Sequence, residues 1–193
     1  MPRVKAFKED EILNKAMELF WRKGYHATSI QDLVNHLGIN RASLYSTYGD
    51  KFQLFLKAFH HYRKTNGQLL KATLSQNPEV KTGLRLLFEA TLDESAKDED
   101  RKGCFVVNST TEFIPGNEVM TSLLLENKNN FQQVFYEYLM SGVQNGQLPA
   151  NRDYQPIALL LFTLYNGIKV VAKLPDPEKK LMKSVDEVLK LLD

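Results

Sequence analysis

A single cysteine, Cys104, is present, so no internal disulfide can form and the fold must rest on packing alone, as suits a reducing compartment. No apolar run is long enough to span a bilayer. The longest, Ile157–Leu164, is interrupted by Thr163 and falls far short of the roughly 20 residues a spanning helix needs. The opening MPRVKAFKEDEIL is basic but has no apolar stretch after it, which argues against a secretory signal and sets the expectation of a cytoplasmic protein. Catalytic signatures are also missing: there is no Gly-rich phosphate loop and no HExxH. His60 and His61 are adjacent, so on a helix they diverge by about 100° and cannot face one metal. Cys104 lacks the His and Asn/Asp pattern of a thiol nucleophile. The expectation is therefore a non-enzyme without metal or cofactor.

What is there is ordinary for a globular chain, 43% hydrophobic and 25% charged, and its periodicity is helical throughout. Ile12, Leu13, Ala16, Met17 and Phe20 share one face, Glu9–Glu11 are placed in the first turn of that helix, and Trp21 reads as core. Thr28 and Gln31 read as a capping box opening a second helix that Gly38 ends. Asn40 caps a short helix to about Thr47. Asp50 caps a long one carrying Phe52, Phe55, Leu56, Phe59 and Tyr62 on one side. After Asn77-Pro78 come a helix marked by Val80, Leu84, Leu87, Phe88 and Thr91, a charged loop over 93–103, and a compact 104–113 segment. A long helix follows to about Gly146, then one from Pro156 to about Lys173, and a last one capped by Asp176 with Pro177 at its first position. The fold class is all-α with about nine helices and no strand pair. Residues 1–67 carry 11 basic and 6 acidic side chains against 14 and 17 in the remainder, a basic head that suits a polyanion.

The second and third helices, joined by a tight turn through Gly38, Ile39 and Asn40, form a helix-turn-helix pattern. The third, RASLYST, has one firm apolar anchor, Leu44. Arg41, Ala42, Ser43, Tyr45 and Thr47 point outward as phosphate donors, base-edge readers or a thymine-methyl contact. The alternative is a short connecting helix with a solvated face.

Residues 9–60 resemble the DNA-binding domain of the tetracycline-repressor (TetR) family. The resemblance rests on Ala16, Leu19 and Phe20, then Gly24-Tyr25, Thr28 with Ile30, Gly38, Leu44-Tyr45, Tyr48, Lys51 and Leu54-Phe55. The chain departs from the commonest pattern by lacking an Ala within 31–34 and by having Ile39 where Val is frequent. The resemblance implies a three-helix helix-turn-helix domain over 1–50 and a helical effector-binding and dimerisation domain over 51–193, linked by the helix at about 50–75. It implies a regulator, acting as a repressor, that binds a near-palindromic double-stranded operator as a homodimer and is released by a small-molecule effector. Tyr45 and the residues before it, with Asn40 and Thr47 at the ends, would meet the major groove. Arg41 and Ser43 would read a base or hold a phosphate. Tyr48 and Lys51 would hold phosphates, as would Thr28 at a helix N-terminus, and Lys5 and Arg3 would add a basic arm.

The C-terminal part resembles the family more loosely, and RKGCFVVNSTTEF (101–113) resembles a subset with Gly-Cys-Phe/Leu here. The resemblance implies dimerisation through the last two helices, here Leu160 and Leu164 with Leu181, Val185, Val188 and Leu192. For an effector pocket the candidates are Phe88, Phe105, Phe131, Phe135, Tyr138, Phe162 and Tyr165, although most of them read more simply as core. Glu112 and Asn166 are polar residues that could supply a handle. Cys104 follows Arg101 and Lys102, which favour a thiolate, and reads either as a sensor of electrophiles or as an inert packing residue.

Overall fold

The computed structural model describes the backbone of residues 3–174 and 178–193, with side chains over 9–174 and 180–193. Among these residues there are nine α-helices and no strand: α1 (Arg3–Lys23), α2 (Ile30–Leu37), α3 (Arg41–Tyr48), α4 (Lys51–Ser75), α5 (Val80–Lys97), α6 (Phe105–Phe113), α7 (Glu118–Gln144), α8 (Gln155–Val171) and α9 (Glu178–Leu189), closed by a 3₁₀ turn at Lys190–Leu192. The all-α expectation holds. The side chains of Arg3 and Lys5, and the cap at Asp176 and Pro177, lie outside the described residues.

Local chemistry explains the boundaries, and three differ from the sequence reading. α1 starts at Arg3, so the acidic Glu9–Glu11 run falls beyond its first turn. The capping box of α2 sits one residue later than expected. Ser29 is the cap, its hydroxyl accepts from the Asp32 N–H at 3.0 Å, and Asp32 returns a bond to the Ser29 N–H at 2.8 Å. The Lys23 ammonium at 2.6 Å and the Ser29 donors hold the Asp32 carboxyl well below the usual carboxylate range. The 93–103 segment is not all loop: α5 continues to Lys97, because the buried positions Leu84, Leu87, Phe88, Thr91 and Leu92 keep its inner face anchored to its last turns. As expected, Asn40 and Asp50 cap α3 and α4, accepting from Ser43 N–H and Gln53 N–H at 2.8 Å each. Gly38 ends α2 in the left-handed conformation (φ 66°), which a side chain rarely adopts, and its N–H closes onto Val34 O.

Two apolar cores form. One joins α1–α3 and the first half of α4 to α6 and the start of α7, through Ala16, Phe20, Leu33, Leu44, Phe55, Phe59, Phe105, Phe113 and Met120. Phe55 is its hub, with ring centroids 5.2 Å from Phe20, 5.6 Å from Phe105 and 5.0 Å from Phe113. The other joins the end of α4 to α5, α7, α8 and α9 through Leu70, Leu84, Phe88, Phe135, Leu161, Tyr165 and Val185. α6 therefore packs with the N-terminal helices although it is sixth in the chain.

Candidate functional site

The outer face of the α2–α3 pair is built from what α3 does not bury. Only Leu44 and Tyr48 of its eight residues are buried. Arg41, Ala42, Ser43, Tyr45, Ser46 and Thr47 are exposed, Tyr45 at 40%, with the Arg41 guanidinium 5.7 Å from its ring centroid. Three expected DNA contacts have other work within the fold. The Thr28 hydroxyl is buried and donates to Gly24 O at 2.5 Å, so it is not presented outward. The Tyr48 ring is buried as the second anchor of α3, and burial followed by the charge of Glu9 raises its phenol's pKa. The Asn40 side-chain oxygen is occupied by the cap. Lys51 donates to Tyr25 O and Thr28 O at 2.8 Å each and lies 4.1 Å over the Tyr25 ring; burial lowers its pKa against the opposing pull of Glu112.

Glu112, the candidate polar handle for a pocket, is engaged by backbone N–H groups. It reaches the turn between α1 and α2, accepting from the Tyr25 N–H at 3.0 Å and the His26 N–H at 2.7 Å. Gly24 makes this approach possible. Its φ is +84°, and a Cβ there would stand 3.1 Å from the Glu112 carboxylate. α6 thus clasps the α1–α2 turn through its last turn, with the Phe113 ring centroid 5.0 Å from that of Tyr25 and the two rings tilted by 40°.

The aromatic residues proposed for a pocket are divided between the two cores. Phe88, Phe131, Phe135 and Tyr165 are buried against one another in the C-terminal core, with Phe162 half-buried beside them, while Phe105 belongs to the N-terminal core. Asn166 donates to Phe162 O in its own helix at 2.9 Å. The Tyr138 hydroxyl donates to Asn77 O and, at 3.2 Å, to Glu79 O. A cleft of about 520 Å³ lies elsewhere, between Trp21 of α1, Tyr62 of α4, the end of α5 with the following loop, and Lys169, Ala172 and Lys173 at the end of α8. Cys104 is buried just behind it, with the Tyr62 hydroxyl 3.7 Å from its Sγ. Sequence reasoning missed Lys169. The available signal was its register: Leu161, Tyr165, Ile168 and Lys169 share the buried side of α8, so a charge falls on an apolar face.

Two family models match. "Bacterial regulatory proteins, tetR family" covers residues 12–58, and "Tetracyclin repressor-like, C-terminal domain" covers 81–186, more than half of the chain. The chain belongs to the TetR family. It is a transcriptional regulator with an N-terminal helix-turn-helix. Full-length relatives include the uncharacterised HTH-type regulator YezE of Bacillus subtilis, 31% identical over 194 residues with all of both chains covered. The HTH-type transcriptional repressor ComR of Escherichia coli is 27% identical, covering 98% of this chain and 90% of ComR. Among solved structures, a cysteine mutant of the TetR-family regulator CifR complexed with 26-bp double-strand operator DNA superposes with a TM-score of 0.86 at 28% identity, over 95% of this chain and 96% of that one.

In this TetR-family regulator the residues expected at a dimer interface separate into two groups. Leu160 is 39% exposed and Leu164 half-buried on α8. Val185 and Leu192 are buried in the chain's own core, while Leu181 and Val188 pack against it. α9 spends its stripe on α5, where Arg85 pairs with Asp186 at 3.0 Å and Lys81 with Asp193. An amphipathic stripe looks the same in sequence whether it covers its own chain or a second copy. Exposed apolar residues on α8 and just after it are Leu159, Leu160, Val170, Val171 and Leu174, and Leu191 is exposed on the turn that closes α9. No helix among the described residues is long and apolar enough to cross a membrane.

Proposed function

We propose that this regulator is a repressor that binds a near-palindromic double-stranded operator as a homodimer and releases it when a small molecule occupies the cleft beside Trp21. The observation that carries the DNA-binding half is the face of α3, an eight-residue helix with two anchors and six exposed side chains. So little burial supports α3 that its exposed residues are free to serve recognition, with Arg41 and Ser43 suited to bases or phosphates and Tyr45, Ala42 and Thr47 to thymine methyls or the sugar edge. Residues 1–50 then read DNA, residues 51–193 form the responsive and dimerising body, and α4 spans both. The name of ComR supports repression, and the operator complex of CifR supports duplex recognition. The exposed apolar row of α8 supports pairing across a two-fold axis.

Release requires an effector that binds the two conformations unequally. α6 offers a path. Its first residue follows Cys104 at the back of the cleft and its last turn holds the α1–α2 turn through Glu112. A nine-residue helix carries a displacement over roughly 13 Å. Selection of bound sequences from a random duplex pool tests the operator. The expected product is a dyad with half-site centres about 34 Å or somewhat more apart, and enrichment of a single asymmetric site refutes it.

A further inference from the structure

Two buried donors belong to the residues lining the Trp21 cleft: the Lys169 ammonium, with Tyr165 beside it and no described carboxylate in ion-pairing distance, and the Trp21 indole N–H, with no acceptor among the described residues. Lys169 is 6% exposed, and none of the described carboxylates lies within ion-pairing distance of its ammonium. Its nearest partner is the face of Tyr165, 4.2 Å from Nζ to the ring centroid. Burial works to lower its pKa, but Tyr165, Cys104 and Glu94 outweigh that and hold the lysine protonated. The second donor is the Trp21 indole N–H, the one buried side-chain polar atom among the described residues without a hydrogen-bond partner. A buried charge without a carboxylate partner and a buried N–H without an acceptor are each costly, and a bound anion would relieve both at once.

We infer that the cleft binds a small apolar monocarboxylate, its carboxylate held by Lys169 with the Trp21 N–H turned onto it, and its apolar body against the Trp21 and Tyr62 rings and Ala172. The site deepens the effector reading given above and rests on it for its regulatory meaning. The charge pattern selects a single negative charge. Lys102 is already committed to Asp98 at 3.0 Å and Glu18 at 3.2 Å, and Lys173 to Asn108 at 3.1 Å. The lining also carries Glu94, Glu99 and Asp100 beside Lys97 and Arg101, so a nucleotide or other polyanion gains little on entry. One buried ammonium balances one carboxylate. A volume of about 520 Å³ is within the range that holds a ligand of modest size. The rings needed for the apolar body are in place, with Trp21 and Tyr62 edge-to-face at 5.0 Å. Because Trp21 stands on α1, Tyr62 on α4 and Lys169 on α8, the bound anion draws the DNA-binding helices and the body onto one molecule.

Trp21 is the only tryptophan in the chain, so its emission reports the site directly. The full-length protein is titrated with 4-phenylbutyrate, octanoate and benzoate, and with the neutral amide of each, by tryptophan fluorescence and by calorimetry. At least one acid is expected to bind and change the emission, with its amide at least tenfold weaker. Lys169→Met is expected to erase the preference for acid over amide, and Lys169→Arg to keep it. Circular dichroism confirms that both variants are folded. If no acid binds at up to 10 mM (roughly the weakest binding that counts as recognition), if acid and amide bind alike, or if Lys169→Met and Lys169→Arg behave alike, the site is refuted. Gel shifts on the selected operator separate this from the parent reading. Lys169-dependent binding of the acid without loss of operator affinity upholds the anion site and removes the effector role. Operator release by an acid that Lys169→Met still obeys upholds an effector and removes this site.

Discussion

Tyr45 is the residue whose fate decides how α3 works. Its ring is 40% exposed, the helix beneath is anchored by Leu44 and Tyr48, and Arg41 lies 5.7 Å from its face. Removing the ring costs the fold little, so a loss on DNA reads as recognition. Tyr45→Ala is expected to weaken the selected operator by about 1–3 kcal/mol while leaving random duplex nearly unchanged. Equal losses on both, measured by competition gel shift, place the ring on the backbone instead. Lys51 shows the opposite economy. With two carbonyls and an aromatic face already satisfied, its ammonium holds the α1–α2 turn in place, and any phosphate contact it makes uses what is left over.

At the scale of elements, α6 and α7 each hold a turn by side-chain bonds to backbone. Glu112 of α6 accepts from two N–H groups of the α1–α2 turn. Glu112→Ala leaves both without that acceptor and is expected to cost about 1–3 kcal/mol, read as a lower midpoint in thermal unfolding. It is also expected to loosen the helix-turn-helix and weaken operator binding. An unchanged midpoint together with unchanged operator affinity would show that the clasp is dispensable. Tyr138 of α7 donates to the turn before α5, and burial with the charge of Glu79 pushes its phenol up to about 12 from 10.0. Its neutral form is the one the fold favours. The contribution is therefore complete below pH 10 and is lost as pH rises from 10 towards 12. Tyr138→Phe is expected to be less stable than wild type at pH 8 and to lose less between pH 10 and 12, in denaturant titrations at each pH. Parallel curves for the two proteins would assign the alkaline loss elsewhere, Tyr62 being another buried phenol with a raised pKa.

For the whole molecule the proposed homodimer needs a surface of its own. α9 is used up on α5, whereas Leu160 and Val171 remain 39% and 40% exposed at positions eleven apart, three helical turns along one side of α8. Leu160→Glu with Val171→Glu is expected to give folded monomers in sedimentation and a steep fall in operator affinity, because the second half-site is no longer delivered at high effective concentration. Val185→Glu is expected to unfold the chain instead, since it buries a charge in the core. A folded dimer from the α8 double variant would put the interface on another face.

Much of this was legible along the chain. Helix content, the Asn40 and Asp50 caps, the turn at Gly38 and the sparse anchoring of α3 depend on residues within a few positions of one another, and short-range chemistry announces itself in short-range pattern. The family motif over 9–60 concentrates in the same stretch. Partners distant in sequence were not legible. Glu112 meets a turn 86 residues earlier, α6 joins the N-terminal core, and Lys169 meets Trp21 at a cleft that no local pattern outlines. Phe88, Phe135 and Tyr165 could line a cavity or fill a core with the same periodicity, and packing filled the core. Sequence determined which faces must be covered. Tertiary structure decided what covers them, because an apolar stripe states the need for a partner and only the closed fold supplies its identity.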